Sequence, residues 1–354
     1  MEEQTKTEKM SRGNRKKNPP IIIKTDYLGA VKQIPFLCRS LRQKCPDNEI
    51  YIVCSDHRSH TALDPVSNIL KNDLERESIP LDKIHFEHYY GEGGLDIKFN
   101  INKDCFFYHE SCGAISFSID PLKFERRKLL DAIEIKKLRE KYGGDSDNII
   151  LGGSLNIPEG VMLVKATREI VKQRPQTKVV LVPRKDAFEF VSAVRELSGH
   201  SNYIVVSELG ILDTLYSLCD IAVVGNTWNK YNFGPGQNPL EPAFYGKPIL
   251  CGGNSQESCN MHAYQGLKKT GLLRITKNAE SLEEALQNPL SGEALESART
   301  KTYNFIESMQ GVADIYSEII RIGLQNRKIP RALAESAVNF LPEKYASWKN
   351  QNKD

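Results

Sequence analysis

Between residues 148 and 251, short apolar runs alternate with helix-like segments without a break, and no other feature restricts the fold of this chain so severely. The strand-type runs are Ile149 to Leu151, Val179 to Val182, Tyr203 to Val206, Ile221 to Val224 and Ile249 to Cys251. Helical patterns occupy 159–173, 186–197, 210–218 and 239–245 between them. Strands that alternate with helices predict an α/β fold with a mostly parallel sheet. The same alternation begins earlier, less regularly. After Pro19-Pro20 come the strand Ile21 to Lys24, Gly29, and a helix with Val31, Ile34, Leu37, Cys38 and Leu41 on one face. A strand at Ile50 to Cys54, a helix from about Ala62, and strands at Ile84 to Phe86 and Phe106 to His109 follow, with Gly91-Glu92-Gly93-Gly94 read as a mobile loop.

A charged amphipathic helix over 124–141, ending near Gly143-Gly144, separates the two stretches. The 354 residues, at about 150 per domain, predict roughly two domains. The expected layout is a basic disordered tail at 1–19, a Rossmann-like domain at 20–120, a linker helix at 121–147, a second domain at 148–330 and a C-terminal helix or tail at 331–354. From 295 onward, Phe305, Met309, Val312, Ile315, Ile319 and Ile322 recur at 3 to 4 residue spacing and predict a long C-terminal helix packed against something.

Composition excludes several classes. With 40% hydrophobic and 26% charged residues, the chain can bury a sizeable core. No apolar run approaches the ~20 residues that span a bilayer, and no apolar signal segment follows the first residues, so a non-secreted soluble protein is expected. The eight cysteines contain no CxxC pair, and Cys54 with His57, His109 with Cys112 and Cys259 with His262 do not combine into a zinc-site spacing. No metal site is expected. Cys54, Cys105, Cys219 and Cys251 lie in or beside apolar segments, as reduced core thiols in a cytoplasm would. The formal charge of +3 resides in residues 1–19, where six Lys/Arg face three Glu. A neutral body argues against nucleic acid as a partner. The tail residues Lys9, Arg12, Arg15, Lys16 and Lys17 form either a solvated leader or a peripheral contact with anionic membrane lipid.

In open α/β sheets, ligands bind beyond the carboxyl ends of the strands. Three segments of the second half fall there: Gly152-Gly153-Ser154, Pro183-Arg184-Lys185, and Gly225-Asn226-Thr227 together with Gly234 to Pro242. Their glycines would let backbone approach a ligand, and a helix starting at Asn238 or Pro239 would turn free N–H groups toward a phosphate. Arg184 offers a forked cationic donor, and Glu241 can accept from ribose hydroxyls. Each feature also has a bland reading: a structural Gly-Pro turn, a surface ion pair, a carboxylate favoured by the helix dipole.

The segment Pro235-Gly236-Gln237-Asn238-Pro239-Leu240-Glu241-Pro242-Ala243 resembles the Gly-Gly-His-Asn-x-Leu-Glu-Pro-Ala signature of the 3-deoxy-D-manno-octulosonic acid (Kdo) transferases, glycosyltransferase family 30. The likeness covers 209–252 and extends upstream through Pro121 to Glu125, through Gly153-Ser154 to Glu159-Gly160, and through Pro183-Arg184-Lys185. It implies a GT-B fold, in which two Rossmann-like domains with mostly parallel sheets face each other across a cleft. It also implies a CMP-activated sugar donor, with no metal and no further cofactor. Gly153, Ser154, Pro183, Arg184, Gly225, Asn226, Gly236, Gln237, Asn238 and Glu241 are then donor-binding candidates. The family's acceptor is a lipid A precursor at the cytoplasmic face of the inner membrane, so the partners implied are a nucleotide-sugar donor and a lipid or glycan acceptor.

The first domain departs from that pattern. Where the family carries Ser-x-Gly-Glu with a catalytic Glu, this chain reads Tyr27-Leu28-Gly29-Ala30. Residues 22–46 look equally like the heptosyltransferases, glycosyltransferase family 9, whose turn reads x-Asp-x-Leu-Gly-Asp and whose last Asp also falls on Ala30. Asp26 is the leading substitute base, then Glu92, with His109 and Glu110 behind; each can equally be a cap, a solvated charge or a core imidazole. The rival functions are a heptosyltransferase using ADP-heptose, an isomerase of the UDP-GlcNAc 2-epimerase kind, and a non-catalytic CMP-sugar binder.

Overall fold

The computed structural model describes residues 21–25, 33–54, 63–82, 84–85, 95–100, 107–109, 114–118, 121–125, 129–142, 148–184, 187–198, 201–208, 210–228, 237–254, 261–326 and 331–352. In chain order the first elements are β1 (Ile21–Thr25), α1 (Ile34–Lys44), β2 (Ile50–Cys54), α2 (Leu63–Arg76), β3 (Ile84–His85), β4 (Leu95–Asn100), β5 (Phe107–His109), β6 (Ala114–Ser118), a 3-10 turn (Pro121–Phe124) and α3 (Ala132–Tyr142). Then follow β7 (Asn148–Leu155), α4 (Ile157–Gln173), β8 (Thr177–Pro183), α5 (Ala187–Ser198), β9 (Tyr203–Val205), α6 (Leu212–Leu218), β10 (Ile221–Val224), α7 (Leu240–Phe244) and β11 (Ile249–Cys251). The last are α8 (Met261–Thr270), β12 (Leu273–Ile275), α9 (Ala279–Gln287), α10 (Gly292–Ser308), α11 (Val312–Asn326) and α12 (Arg331–Gln351). The chain divides into two compact units, Met1–Arg126 with Gln310–Glu343, and Arg127–Met309 with Lys344–Asp354. Both are α/β, and the fold class is GT-B.

The first unit holds a six-stranded sheet in the order β3-β2-β1-β4-β6-β5. All described pairings are parallel except β5 with β6, so an antiparallel strand closes one edge. Helix α1 starts with Pro35 in its first turn, where proline's fixed φ suits a helix and its missing N–H costs nothing. Its buried face is Ile34, Leu37, Cys38 and Leu41. Against it packs α11, whose Ile319 and Ile320 are fully buried. A polar thread runs through this contact: Ser40 Oγ lies 2.6 Å from Asp314 Oδ1 and 2.7 Å from Ser317 Oγ.

The expected division at 330 therefore places α11 in the wrong unit, and the long helix expected from 295 onward is two helices. The break is at Gly311, whose φ of +110° lies where glycine alone is at ease. Its N–H and that of Ala313 both donate to Glu125 Oε1 at 3.0 Å, tying the start of α11 to the 3-10 turn region. The charged segment over 124–141 likewise splits. Leu122 and Phe124 are buried in the first unit, while α3 belongs to the second and begins after Asp131, which caps Ile133 and Glu134 at 2.9 and 2.8 Å.

The second unit holds a fully parallel sheet in the order β12-β11-β10-β7-β8-β9. Strand residues alternate between two cores. Ile150, Val179, Leu181 and Val223 face α4, α5 and α9, while Ile149, Leu151, Val180, Val182 and Ala222 face α6. Burial on both faces explains why these strands read as unbroken apolar runs. Cys219 and Cys251 are buried in the core, as expected, and burial pushes the Cys219 thiol up to about 12. Among the described residues no helix is long and apolar enough to cross a membrane.

Candidate functional site

The carboxyl ends of β7, β8 and β10 bring most of the expected donor-site residues of the second unit together. Strands β7 and β10 are neighbours, and each has near its carboxyl end a glycine followed by a non-glycine residue in the left-handed region: Gly153-Ser154 within the last residues of β7 with φ +55°, and Gly225-Asn226 just beyond β10 with φ +58°. Such backbone costs on the order of 1 kcal/mol and persists where surrounding contacts impose it. The N–H of Gly225 donates to the carbonyl of Gly153 at 2.9 Å, and a Cβ on Gly225 would stand 2.4 Å from the carbonyl oxygen of Ser154. A Cβ on Gly153 would meet Tyr216 Oη at 2.2 Å, and one on Gly252 the carbonyl of Thr227 at 2.3 Å. These glycines serve the packing of strand ends on each other and on Tyr216.

Glu159 organises this edge, and its role is not readable from local pattern. It lies in the first turn of α4, 3% exposed. Together with Asn156 it forms a capping box, its Oε2 accepting from Asn156 N at 3.0 Å. The same carboxylate reaches across to the segment after β10. Oε2 accepts from Asn226 N at 2.7 Å, and Oε1 from Thr227 N at 2.9 Å and Trp228 N at 3.2 Å. Asn156 Nδ2 adds a bond to Asn226 Oδ1 at 3.1 Å. The left-handed turn at Asn226 thus has its consecutive N–H groups held by an internal anion. Thr227 continues the lattice, its Oγ1 donating to Val224 O at 2.8 Å and accepting from Gly252 N at 2.7 Å.

On the other side of β7, Pro183 pairs with Leu155, and Arg184 N donates to Leu155 O at 2.9 Å, fixing the backbone from which the guanidinium extends. Arg184 is half-buried. Burial holds its pKa below the ordinary arginine value, and the Glu159 carboxylate pulls it back. A partly desolvated cation at a strand end interacts more strongly with an anion than one in bulk water does.

The helix expected at Asn238 or Pro239 is shorter than its role required. It spans only Leu240–Phe244, and Asn238 Oδ1 accepts from Leu240 N at 3.1 Å, so one first-turn N–H is already satisfied. Gln237 is held through both main-chain groups: its N–H points to Gly225 O at 3.5 Å, and its carbonyl accepts from Tyr264 Oη at 2.6 Å. Glu241 sits in the first turn, and its charge, after burial, helps to raise the pKa of the Tyr216 phenol. Three buried donor atoms at this edge, Trp228 Nε1, Asn238 Nδ2 and Asn254 Nδ2, have no acceptor among the described residues. Each such orphan costs about 1–3 kcal/mol.

Gly236, Asp26, Glu92, Glu110 and Ala30 lie outside the described residues, and His109 ends β5 in the first unit. Among the described residues no group of three His, Cys, Asp or Glu is placed to hold a metal ion.

No protein-family model matches the chain. Over 152 residues, 40% of this chain, it is 32% identical to a 3-deoxy-D-manno-octulosonic acid transferase of Aquifex aeolicus (strain VF5). The match spans 42% of that protein, less than half of its length. The resemblance read from residues 235–243 is borne out by this similarity. Among solved structures, a UDP-N-acetylglucosamine 2-epimerase superimposes with a TM-score of 0.51 at 12% identity, covering 88% of this chain and 97% of that one. A glycosyltransferase from Rickettsia africae ESF-5 gives 0.50 at 14% identity, covering 88% and 100%. These two likenesses show the fold, which a transferase and an epimerase share.

Proposed function

We propose that the chain is a glycosyltransferase that takes a Kdo-like keto-acid sugar from a CMP-activated donor and passes it to a lipid or glycan acceptor, with inversion and without a metal. The observation that carries this reading is the strand-end cluster of Ser154, Arg184, Asn226 and Asn238, at positions matching the Kdo transferase motifs, with its central turn held by buried Glu159. The similarity to the Aquifex aeolicus transferase supports it from outside the chain.

On this reading the second unit holds the nucleotide. Arg184 is already partly stripped of water and would stabilise the charge that grows on the CMP phosphate as the sugar departs, a term that needs no covalent step. Ser154 and Asn226, held in position by their left-handed backbone, would offer hydroxyl and amide groups to the nucleotide or the sugar carboxylate, and Glu241 would accept from ribose hydroxyls. The acceptor proton would pass to a carboxylate of the first unit, with Asp26 first and Glu92 second. Asp26→Asn should then abolish transfer and leave donor affinity within twofold; transfer at the wild-type rate removes Asp26 from that role. The proposed setting is the cytoplasm, with the basic residues of 1–19 drawing the protein to an anionic inner membrane surface.

The test is calorimetry of CMP, UDP and ADP with the purified protein in chelator. A CMP preference that falls at least tenfold in Arg184→Ala, with unchanged thermal stability, supports the proposal. Preference for UDP or ADP overturns the donor assignment and favours an epimerase or heptosyltransferase, the first of which shares the fold.

A further inference from the structure

We infer that Trp228 and Asn254, together with Asn238, form an oxyanion subsite at the far end of the proposed donor site, for a carboxylate or phosphate group of the bound nucleotide sugar. The inference rests on the reading of the second unit as a nucleotide-sugar site and adds two residues that no motif singles out.

The three side chains share one feature: Trp228 Nε1, Asn238 Nδ2 and Asn254 Nδ2 are buried donors without an acceptor among the described residues. An indole nitrogen can only donate. Asn238 cannot be relieved by turning its amide over, because its Oδ1 is engaged by Leu240 N at 3.1 Å. Folded proteins leave few buried polar atoms unsatisfied, so several at one edge are best explained by an acceptor that arrives with a ligand.

The backbone brings them together. Asn254 N donates to Thr227 O at 3.0 Å, which places Asn254, just beyond β11, against the residue before Trp228. Gln237 N points to Gly225 O at 3.5 Å and returns Asn238 to the end of the same strand β10. The main chain of Trp228 is fixed by Glu159 at 3.2 Å. That carboxylate is not available as the missing acceptor, because Asn156, Asn226, Thr227 and Trp228 N–H groups already occupy it.

The chemistry of the set selects the ligand. Three neutral N–H donors from three loops match a group that presents several acceptor lone pairs and no proton, which is a carboxylate or a phosphate. In the strand order β11-β10-β7-β8, the end of β11 lies three strand spacings, about 14 Å, from that of β8, and the end of β10 two, about 10 Å. Arg184 and the Trp228–Asn254 subsite would therefore meet different groups of one extended ligand.

The chain has two tryptophans, Trp228 and Trp348, so Trp348→Phe makes the emission of Trp228 a local reporter. The probes are CMP, CMP-N-acetylneuraminate as a stable CMP-activated keto acid, and sodium phosphate, each followed by emission and by calorimetry. Binding should shift Trp228 emission, and Asn254→Asp, which sets a like charge beside the oxyanion, should weaken it about tenfold. Trp228→Phe should weaken it less while keeping the ring packed. Weakening confined to the keto-acid nucleotide identifies the carboxylate, equal weakening for CMP identifies the nucleotide phosphate, and saturation by sodium phosphate alone shows that a free phosphate suffices. Coincident thermal melts establish that the variants fold. The inference is overturned if CMP and CMP-N-acetylneuraminate bind, Arg184→Ala abolishes that binding, both Asn254→Asp and Trp228→Phe keep the affinity for every probe within twofold, and Trp228 emission in the Trp348→Phe protein stays flat. If wild-type protein binds no nucleotide, the donor-site reading fails and this subsite with it.

Discussion

The two sheets of this protein have the same number of strands and were not equally legible. In the second unit every pairing is parallel and the two faces are covered, so β7, β8 and β10 are continuous apolar runs that announce themselves. In the first unit β4 reads Leu95-Asp96-Ile97-Lys98-Phe99-Asn100, an alternating pattern directly after a glycine cluster, and β6 is only Ala114–Ser118. Both were absent from the sequence-based expectation, as was the short β12. Burial on both faces writes itself into composition, whereas an alternating strand reveals itself only to a search for period two.

The units also differ in how they are completed. The first takes α11 from beyond the second, so its integrity depends on a contact between residues nearly 280 positions apart, such as Ser40 with Ser317. The second carries its candidate site on its own strand ends. Ile319→Ala tests that separation with the largest expected effect: a fully buried side chain lost from α11 should cost about 4 kcal/mol. Denaturant unfolding should show the loss in one transition while nucleotide affinity stays within twofold; a parallel loss of affinity would make the two units one cooperative system.

Gly225→Ala should act on the other unit, destabilising it by about 3 kcal/mol because the new Cβ would meet a backbone oxygen at 2.4 Å that has no freedom to withdraw. Gly253→Ala, with nothing within 4 Å, is the matched control and should be silent in a thermal melt. Next comes Glu159→Gln. Replacing a carboxylate that accepts N–H groups on both oxygens with an amide whose nitrogen cannot accept should cost about 2 kcal/mol. It should weaken CMP binding at the same time, and a destabilised variant with wild-type affinity would show that the turn at Asn226 does not serve the ligand.

The smallest effect is on pH dependence in the first unit. Burial raises the pKa of Glu125 above its ordinary 4.5, against the pull of the Ala313 and Gly311 N–H bonds. The folded state therefore holds this proton more tightly than the unfolded chain does. Its contribution favours folding at acidic pH and is lost as pH rises from 4.5 through the raised value. Glu125→Gln should flatten the stability profile just above that point and leave the first unit no weaker at pH 7. Identical profiles for the two proteins would contradict the burial argument.

Sequence alone determined that the chain is α/β, that its second half is a parallel sheet with strand ends carrying glycine, arginine and asparagine, and that its motifs resemble Kdo transferases. Those properties are local: an apolar run, a turn residue and a signature are each contained within a few positions. Only the tertiary structure decided that Gly153 and Gly225 pack strand ends together, that α11 completes the first unit, and that Glu159 holds a turn almost 70 residues away. It alone set Trp228, Asn238 and Asn254 at one edge with donors unmatched among the described residues. The physical reason is that each of these depends on which chain segments become neighbours, and a hydrogen bond between residues 159 and 226 leaves no periodicity in the chain between them.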